Sequence, residues 1–202
     1  MDGPRTAQIG RPRGFDADEA LERAMLVFWE QGFEGSSLTD LTGAMGINRT
    51  SMYAAFGNKD ELFRRVLERY TAGPAGYGAR ALQQPTARQV ATAFLDGSVH
   101  ASTLPDRPAG CLGVHGSLAA GPPAHDARDT LTAWRNEGVT RLRERFQQFL
   151  DDGDLPADTN PALLARYIMT VSNGIAVQAA SGTPREELQH VADAAIRNWP
   201  PV

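Results

Sequence analysis

Between Asn48 and Phe56, the apolar residues Met52, Ala55 and Phe56 recur at helical spacing, which leaves Arg49, Thr50, Ser51, Tyr53 and Ala54 off the apolar face. Those side-chain types suit a base-pair edge and the phosphates beside it. Arginine pairs bidentately with guanine or holds phosphate, hydroxyls bond either, tyrosine reaches the backbone, and alanine can lie on a thymine methyl. Thr39 precedes this set and Lys59 follows it. Arg11 and Arg13, in Gly10-Arg11-Pro12-Arg13, are of the type drawn into a narrow, electronegative minor groove. A looser set lies further on. Cys111, His115, Trp134, Tyr167 and Asn173 are polar or polarisable groups on otherwise apolar segments, and are candidates to line a small-molecule pocket. Cys111 follows Pro108-Ala109-Gly110 at an expected helix start, a setting that favours a reactive thiolate, although a lone cysteine is commonly a small buried hydrophobe. Cys111 and His115 stand at i, i+4 without further ligands, so no metal site and no cofactor are expected.

The elements that must position these groups read as helices. Asp16 with Glu19 forms a capping-box pattern ahead of Leu21, Met25 and Phe28, and Gly32 ends that segment. Ser37 caps a segment of about two turns carrying Leu38, Leu41 and Met45, which closes at Gly46. Asn48 caps the next, ended by Gly57, and Asn58 with Glu61 repeats the capping box before Leu62, Val66 and Tyr70. A short helix, a tight turn containing glycine and a second short helix is the spacing of a helix-turn-helix, whose second helix fits a major groove roughly 12 Å wide. Residues 71–85 shift to Gly, Ala, Pro and Gln and read as a connector, partly helical. Beyond it, Thr86 to Leu104, Cys111 to Ala120, Asp126 to Asp152, Asn160 to Ala180 and a last segment from Thr183 each carry helical patterning. The segment with Leu163, Leu164, Tyr167, Ile168, Val171, Ile175 and Val177 is apolar nearly all round and must be covered on most sides. The expected fold class is all-α: a three-helix head with a helix-turn-helix plus a larger helical-bundle body, about nine helices in all.

Composition narrows the function classes. Among 202 residues, 42% are hydrophobic and 22% charged, which fits a packed globular chain. The net charge of -4 divides into -2 over residues 1–70, from nine basic and eleven acidic side chains, and -2 over the remainder. Residues 1–70 are not basic as a block, although Arg5, Arg11 and Arg13 against Asp2 give residues 1–15 a net of +2, so any attraction for nucleic acid must come from a few placed arginines. One cysteine cannot close an intramolecular disulfide, the start lacks an apolar leader, and no window is long and apolar enough to span a membrane, so a cytoplasmic location is expected. Enzyme signatures are missing: there is no Gly-rich phosphate loop, no Gly-x-Ser-x-Gly and no His-Glu-x-x-His, and the four histidines are scattered.

The run from Gly32-Phe33-Glu34-Gly35-Ser36-Ser37-Leu38-Thr39-Asp40-Leu41, through Met45-Gly46-Ile47-Asn48-Arg49-Thr50-Ser51-Met52-Tyr53-Ala54-Ala55-Phe56-Gly57-Asn58-Lys59-Asp60-Glu61-Leu62-Phe63, resembles the N-terminal domain of TetR/AcrR-type transcriptional regulators. The similarity covers about the first 70 residues strongly and the rest only in helix count and order. It implies that Thr39 touches phosphate, that Arg49, Thr50, Ser51 and Ala54 face base edges or backbone, that Tyr53 clamps a phosphate and that Lys59 touches the backbone. One departure stands out: many members carry histidine where this chain has Ala55, and that phosphate contact is not expected here. The organisation implied is a flexible basic arm over 1–15, a DNA-binding domain over 16–70, and a ligand-sensing and dimerisation domain over 71–202. The last two long helices would form the homodimer, with Leu163, Tyr167, Val171, Gly174, Ile175, Gln178, Leu188, Val191 and Ala195 at the interface. The function implied is a ligand-responsive regulator, a repressor in the first instance, that binds a palindromic operator in double-stranded DNA and is released by a small-molecule effector. The alternatives are a thiol- or electrophile-sensing regulator acting through Cys111, or an activator.

Overall fold

Ten α-helices run through residues 14–118 and 125–200, which the computed structural model describes: α1 (Ala17–Gly35), α2 (Leu38–Met45), α3 (Arg49–Phe56), α4 (Lys59–Ala72), α5 (Tyr77–Ala81), α6 (Ala87–Ser102), α7 (Leu112–Leu118), α8 (His125–Asp151), α9 (Pro161–Ala180) and α10 (Arg185–Arg197). The helix beyond the expected nine is α5. It lies in the Gly- and Ala-rich connector, where five residues are too few to show a period, and it follows a 3-10 turn at Pro74–Gly76. Arg11 and Arg13 lie outside the described residues. No helix among the described residues is long and apolar enough to cross a membrane.

Local chemistry sets most of the helix ends. The Asp16 carboxylate accepts from the Asp18 and Glu19 backbone N–H groups, while the Glu19 carboxylate turns to Arg23 instead of closing the expected box. Ser37 with Asp40 and Asn58 with Glu61 do close reciprocal boxes at the starts of α2 and α4. Gly32 interrupts α1 with φ +71°, and Gly46 ends α2 with φ +68°; both lie in the left-handed region that a side chain resists.

Two buried clusters form the core. Met25, Phe28, Trp29, Leu41, Met52, Phe56, Leu62, Phe63, Val66 and Tyr70 pack α1 to α4 together, and Leu112, Ala127 and Leu131 from α7 and α8 join them. The second cluster is built from α6, α8, α9 and α10 around Leu95, Leu142, Phe146, Ile168 and Ile175. Helix α8, 27 residues and so about 40 Å long, carries Leu131 in the first cluster and Leu142 and Phe146 in the second. Helix α9 departs from the sequence reading. It buries Leu164, Ala165, Ile168, Ile175, Ala176 and Ala179, yet leaves Leu163 at 57% and Val177 at 39% exposure, so one apolar side has no cover among the described residues.

The expected dimer residues therefore divide. Ile175, Leu188 and Ala195 are buried in the chain's own core, against α6 and each other's helices. Leu163, Gly174, Gln178 and Val191 are exposed, and Tyr167 and Val171 are half-buried.

Candidate nucleic-acid interface and body cavity

Helix α3 is anchored by Met52 and Phe56, at 0% and 3% exposure, and Phe15 adds a tilted ring contact to Phe56 at 6.3 Å. Its other face is open. Arg49, Thr50 and Ala54 are exposed, Tyr53 is 49% exposed, and Ser51 is half-buried. The Asn48 side chain accepts the Ser51 N–H at 2.8 Å, which fixes the start of the helix and leaves its first N–H groups beside the exposed side chains. Arg49 Nη2 donates to Thr39 Oγ1 at 3.1 Å, so two of the expected DNA-facing groups, one from α2 and one from α3, touch each other. At the start of α2, hydrogen bonds from the Ser37 hydroxyl and N–H hold the Asp40 carboxyl below its ordinary value.

Lys59, which the resemblance expects to touch the DNA backbone, has partners within the chain. Its ammonium donates to the Phe33 carbonyl at the broken end of α1 and lies 4.4 Å from the Phe33 ring centre. Burial pushes its pKa down, against the pull of Asp60 and Glu34, so this cation is engaged in joining α4 to α1. Beside Ala55 stands a cation that sequence reasoning did not single out. Arg65 Nη1 donates to the Ala55 carbonyl at 3.1 Å and its guanidinium lies 5.8 Å from the Phe56 ring centre.

A charge cluster binds the α1–α4 end to the loop before α7. The Glu22 carboxylate accepts from Arg69 Nε and Arg107 Nη1, each at 2.6 Å. Burial raises the Glu22 pKa, but the two guanidinium hydrogen bonds and their charges outweigh it and the net shift is downward. No local pattern marked this trio, because its members are 47 and 85 residues apart along the chain.

Behind α4 lies a cavity of about 150 Å³, lined by Cys111, Trp134 and Asn173 of the sequence-derived set. Tyr167 and His115 do not line it. His115 packs instead under Gly110, and burial lowers its pKa. Among the described residues no group of three or more His, Cys, Asp or Glu side chains could hold a metal ion. Trp134 Nε1 donates to Thr71 Oγ1 of α4 at 2.8 Å, and the Tyr70 hydroxyl donates to Cys111 Sγ at 3.2 Å. Burial pushes the Cys111 thiol up, against opposing hydrogen bonds led by Tyr70, so the helix-start setting does not activate it. Tyr77, Ser98 and Ser172 also line the cavity; they carry the same mark in the sequence as the five candidates, a polar group on an apolar or small-residue segment, and sequence reasoning did not single them out.

The chain matches known proteins along almost its whole length. Residues 20–66 match the family model described as bacterial regulatory proteins, tetR family. The transcriptional repressor ComR of Escherichia coli K12 is 31% identical over 95% of this chain and 92% of its own length, and the repressor BdcR of the same organism is 29% identical over 89% and 86%. Among solved structures, the TetR family regulator CifR, as a cysteine mutant in complex with 26-bp operator DNA, superposes with a TM-score of 0.89 at 44% identity, covering 94% of this chain and 100% of that one. With a relative above 30% identity spanned almost end to end, and with a helix-turn-helix that exposes the side chains such a motif requires, this chain belongs to the TetR family of bacterial regulatory proteins.

Proposed function

We propose that the chain is a cytoplasmic transcriptional repressor that binds a palindromic operator as a homodimer and is released by a small molecule held in the cavity behind α4. The observation that carries this reading is α3, which exposes Arg49, Thr50, Tyr53 and Ala54 on one side and is pinned by Met52 and Phe56 on the other. ComR and BdcR are named transcriptional repressors, and CifR is described in complex with operator DNA. In this reading Arg49, Thr50, Ser51 and Ala54 meet base edges or adjacent backbone, and Thr39 and Tyr53 hold phosphates. Residues 1–15 act as an arm that brings Arg11 and Arg13 to the minor groove, 16–70 form the DNA-binding domain and 71–202 the sensing and dimerising body. The second copy covers Leu163, Gly174, Val177, Gln178 and Val191. Release works through α4: Thr71 and Tyr70 touch Trp134 and Cys111 at the cavity, and the same helix packs on α1 and α3, so a guest that favours one setting of α4 favours one spacing of the two heads.

The experiment is a titration of the purified dimer against a palindromic duplex from its own upstream region, with a scrambled duplex as control. Sequence-specific retention at moderate salt is expected. Equal affinity for the two duplexes would sink the reading.

A second reading has one observation in its favour: Cys111 faces the same cavity and accepts a hydrogen bond from Tyr70. A modified thiol there would displace Tyr70 and, with it, α4. Because burial raises the thiol pKa, reaction with iodoacetamide at neutral pH is expected to be slower than that of free cysteine. A rate above that of free cysteine would favour the thiol-based response.

A further inference from the structure

The cavity carries a hydroxyl cluster on its wall. Ser98 and Ser172 are 1% and 5% exposed; Ser172 Oγ donates to Ser98 Oγ at 2.8 Å, and Ser98 Oγ donates to the Ser172 carbonyl at 3.4 Å. The Tyr77 hydroxyl is hydrogen-bonded with the same two serines. Serine hydroxyl hydrogens can rotate, and one turned to the phenolic oxygen, the sense in which both serines lower the Tyr77 pKa, leaves the phenolic hydrogen able to turn to a guest. The position of the ring is enforced from behind, because a Cβ on Gly97 would fall 2.6 Å from it. The phenol is a neutral donor at every physiological pH, since burial and then the nearby Cys111 push its pKa up to about 12.

Size and charge limit what fits. A cavity of about 150 Å³ matches in volume an engineered apolar cavity that takes up benzene, so the guest has about six to eight non-hydrogen atoms. The charged side chains at its border are engaged elsewhere. Glu137 pairs with Arg141 at 2.7 Å, both more than half exposed, and Arg135 donates to the Gly113 carbonyl at 3.3 Å. A cationic guest would lose its hydration without gaining a buried partner, and an anionic one would meet only Arg135, whose guanidinium is already bonded to the Gly113 carbonyl.

We propose that the cavity takes a small uncharged molecule, about the size of one six-membered ring, whose oxygen acceptor is bonded by the Tyr77 hydroxyl. This deepens the repressor reading and rests on it for the consequence, release of DNA. Uptake itself is tested on the full chain without DNA, by calorimetry or ligand-detected NMR, with cyclohexanone, toluene, cyclohexanecarboxylate and cyclohexylammonium as probes. Cyclohexanone is expected to bind at least tenfold more tightly than either ion. Tyr77→Phe is expected to weaken cyclohexanone about fivefold and to leave toluene within twofold, so toluene also reports that the variant's cavity is intact. An unchanged cyclohexanone affinity in Tyr77→Phe, an ion that binds as well as cyclohexanone, or no uptake of any probe by the parent protein would each overturn the proposal. Operator retention is then measured separately with cyclohexanone. Uptake as expected without release leaves the ligand class standing and counts against the repressor mechanism, whereas specific operator binding without uptake does the reverse.

Discussion

In the proposed reading, Arg49 is the residue on which the DNA contact turns. It is the one cation on α3, it is exposed, and its bond to Thr39 holds the guanidinium against the first turn of α2. Arg49→Ala is expected to weaken operator binding by about 1–3 kcal/mol, roughly ten- to hundredfold, with specificity relaxed at one base pair per half-site if it reads a base. Lys59 is expected to behave differently. Because its ammonium is bonded to the Phe33 carbonyl, Lys59→Met should lower stability while leaving the salt slope of DNA binding unchanged; a slope reduced by about one would make it a phosphate contact after all. The contrast shows what was legible in the sequence at this scale. The helical period assigns Met52 and Phe56 to one side and Arg49, Thr50 and Ala54 to the other, but a carbonyl 26 residues away leaves no mark near Lys59. Glu22 was equally hidden, and it carries a pH prediction. A carboxylate whose folded pKa is depressed contributes stability that is present above its unfolded pKa and is lost as pH falls through the folded value. Urea unfolding of Glu22→Gln should therefore show a deficit of about 1 kcal/mol at neutral pH that fades in acid, as pH falls below the ordinary glutamate value; a deficit constant with pH would separate the loss from ionisation.

Among the elements, glycine positions govern how the aromatic walls of the cavity sit. A Cβ on Gly113 would run into the Trp134 ring, so α7 and α8 approach only because that position has no side chain. Gly113→Ala is expected to push Trp134 off α4, break its bond to Thr71 and lower stability by about 1–3 kcal/mol. The check is tryptophan emission together with the unfolding midpoint; an unchanged spectrum would mean that the helices simply part without moving the ring. Caps and apolar stripes made α2, α3, α4, α6 and α9 readable, since Ser37, Asn48, Asn58, Thr86 and Asn160 all precede such stripes and each bonds the first turn. The pairing of glycine with aromatic across two helices has no period, and so the cavity could be expected but not located.

For the whole molecule, the apolar surface left on α9 and α10 and the charge balance lead to one expectation. Val191 is 52% exposed and Leu163 57%, on helices whose inward faces are already filled by Ile175 and Leu188. One α3 of eight residues reads few base pairs, and residues 1–70, at -2, supply little general attraction for DNA. Specific binding must then come from two heads held at fixed spacing, so the contact between bodies controls affinity as strongly as α3 does. Val191→Glu, which places a carboxylate on that surface in each copy, should shift the protein from dimer to monomer in light scattering and lower operator affinity at least a hundredfold without altering helix content. A variant that remained dimeric and bound normally would move the interface elsewhere on the body. Deleting residues 1–14 in the intact dimer isolates the other source of affinity: if Arg11 and Arg13 reach the groove, the salt slope should fall by about two per head, while the dimer is unchanged. An unchanged slope would leave α2 and α3 to carry the contact between protein and DNA by themselves.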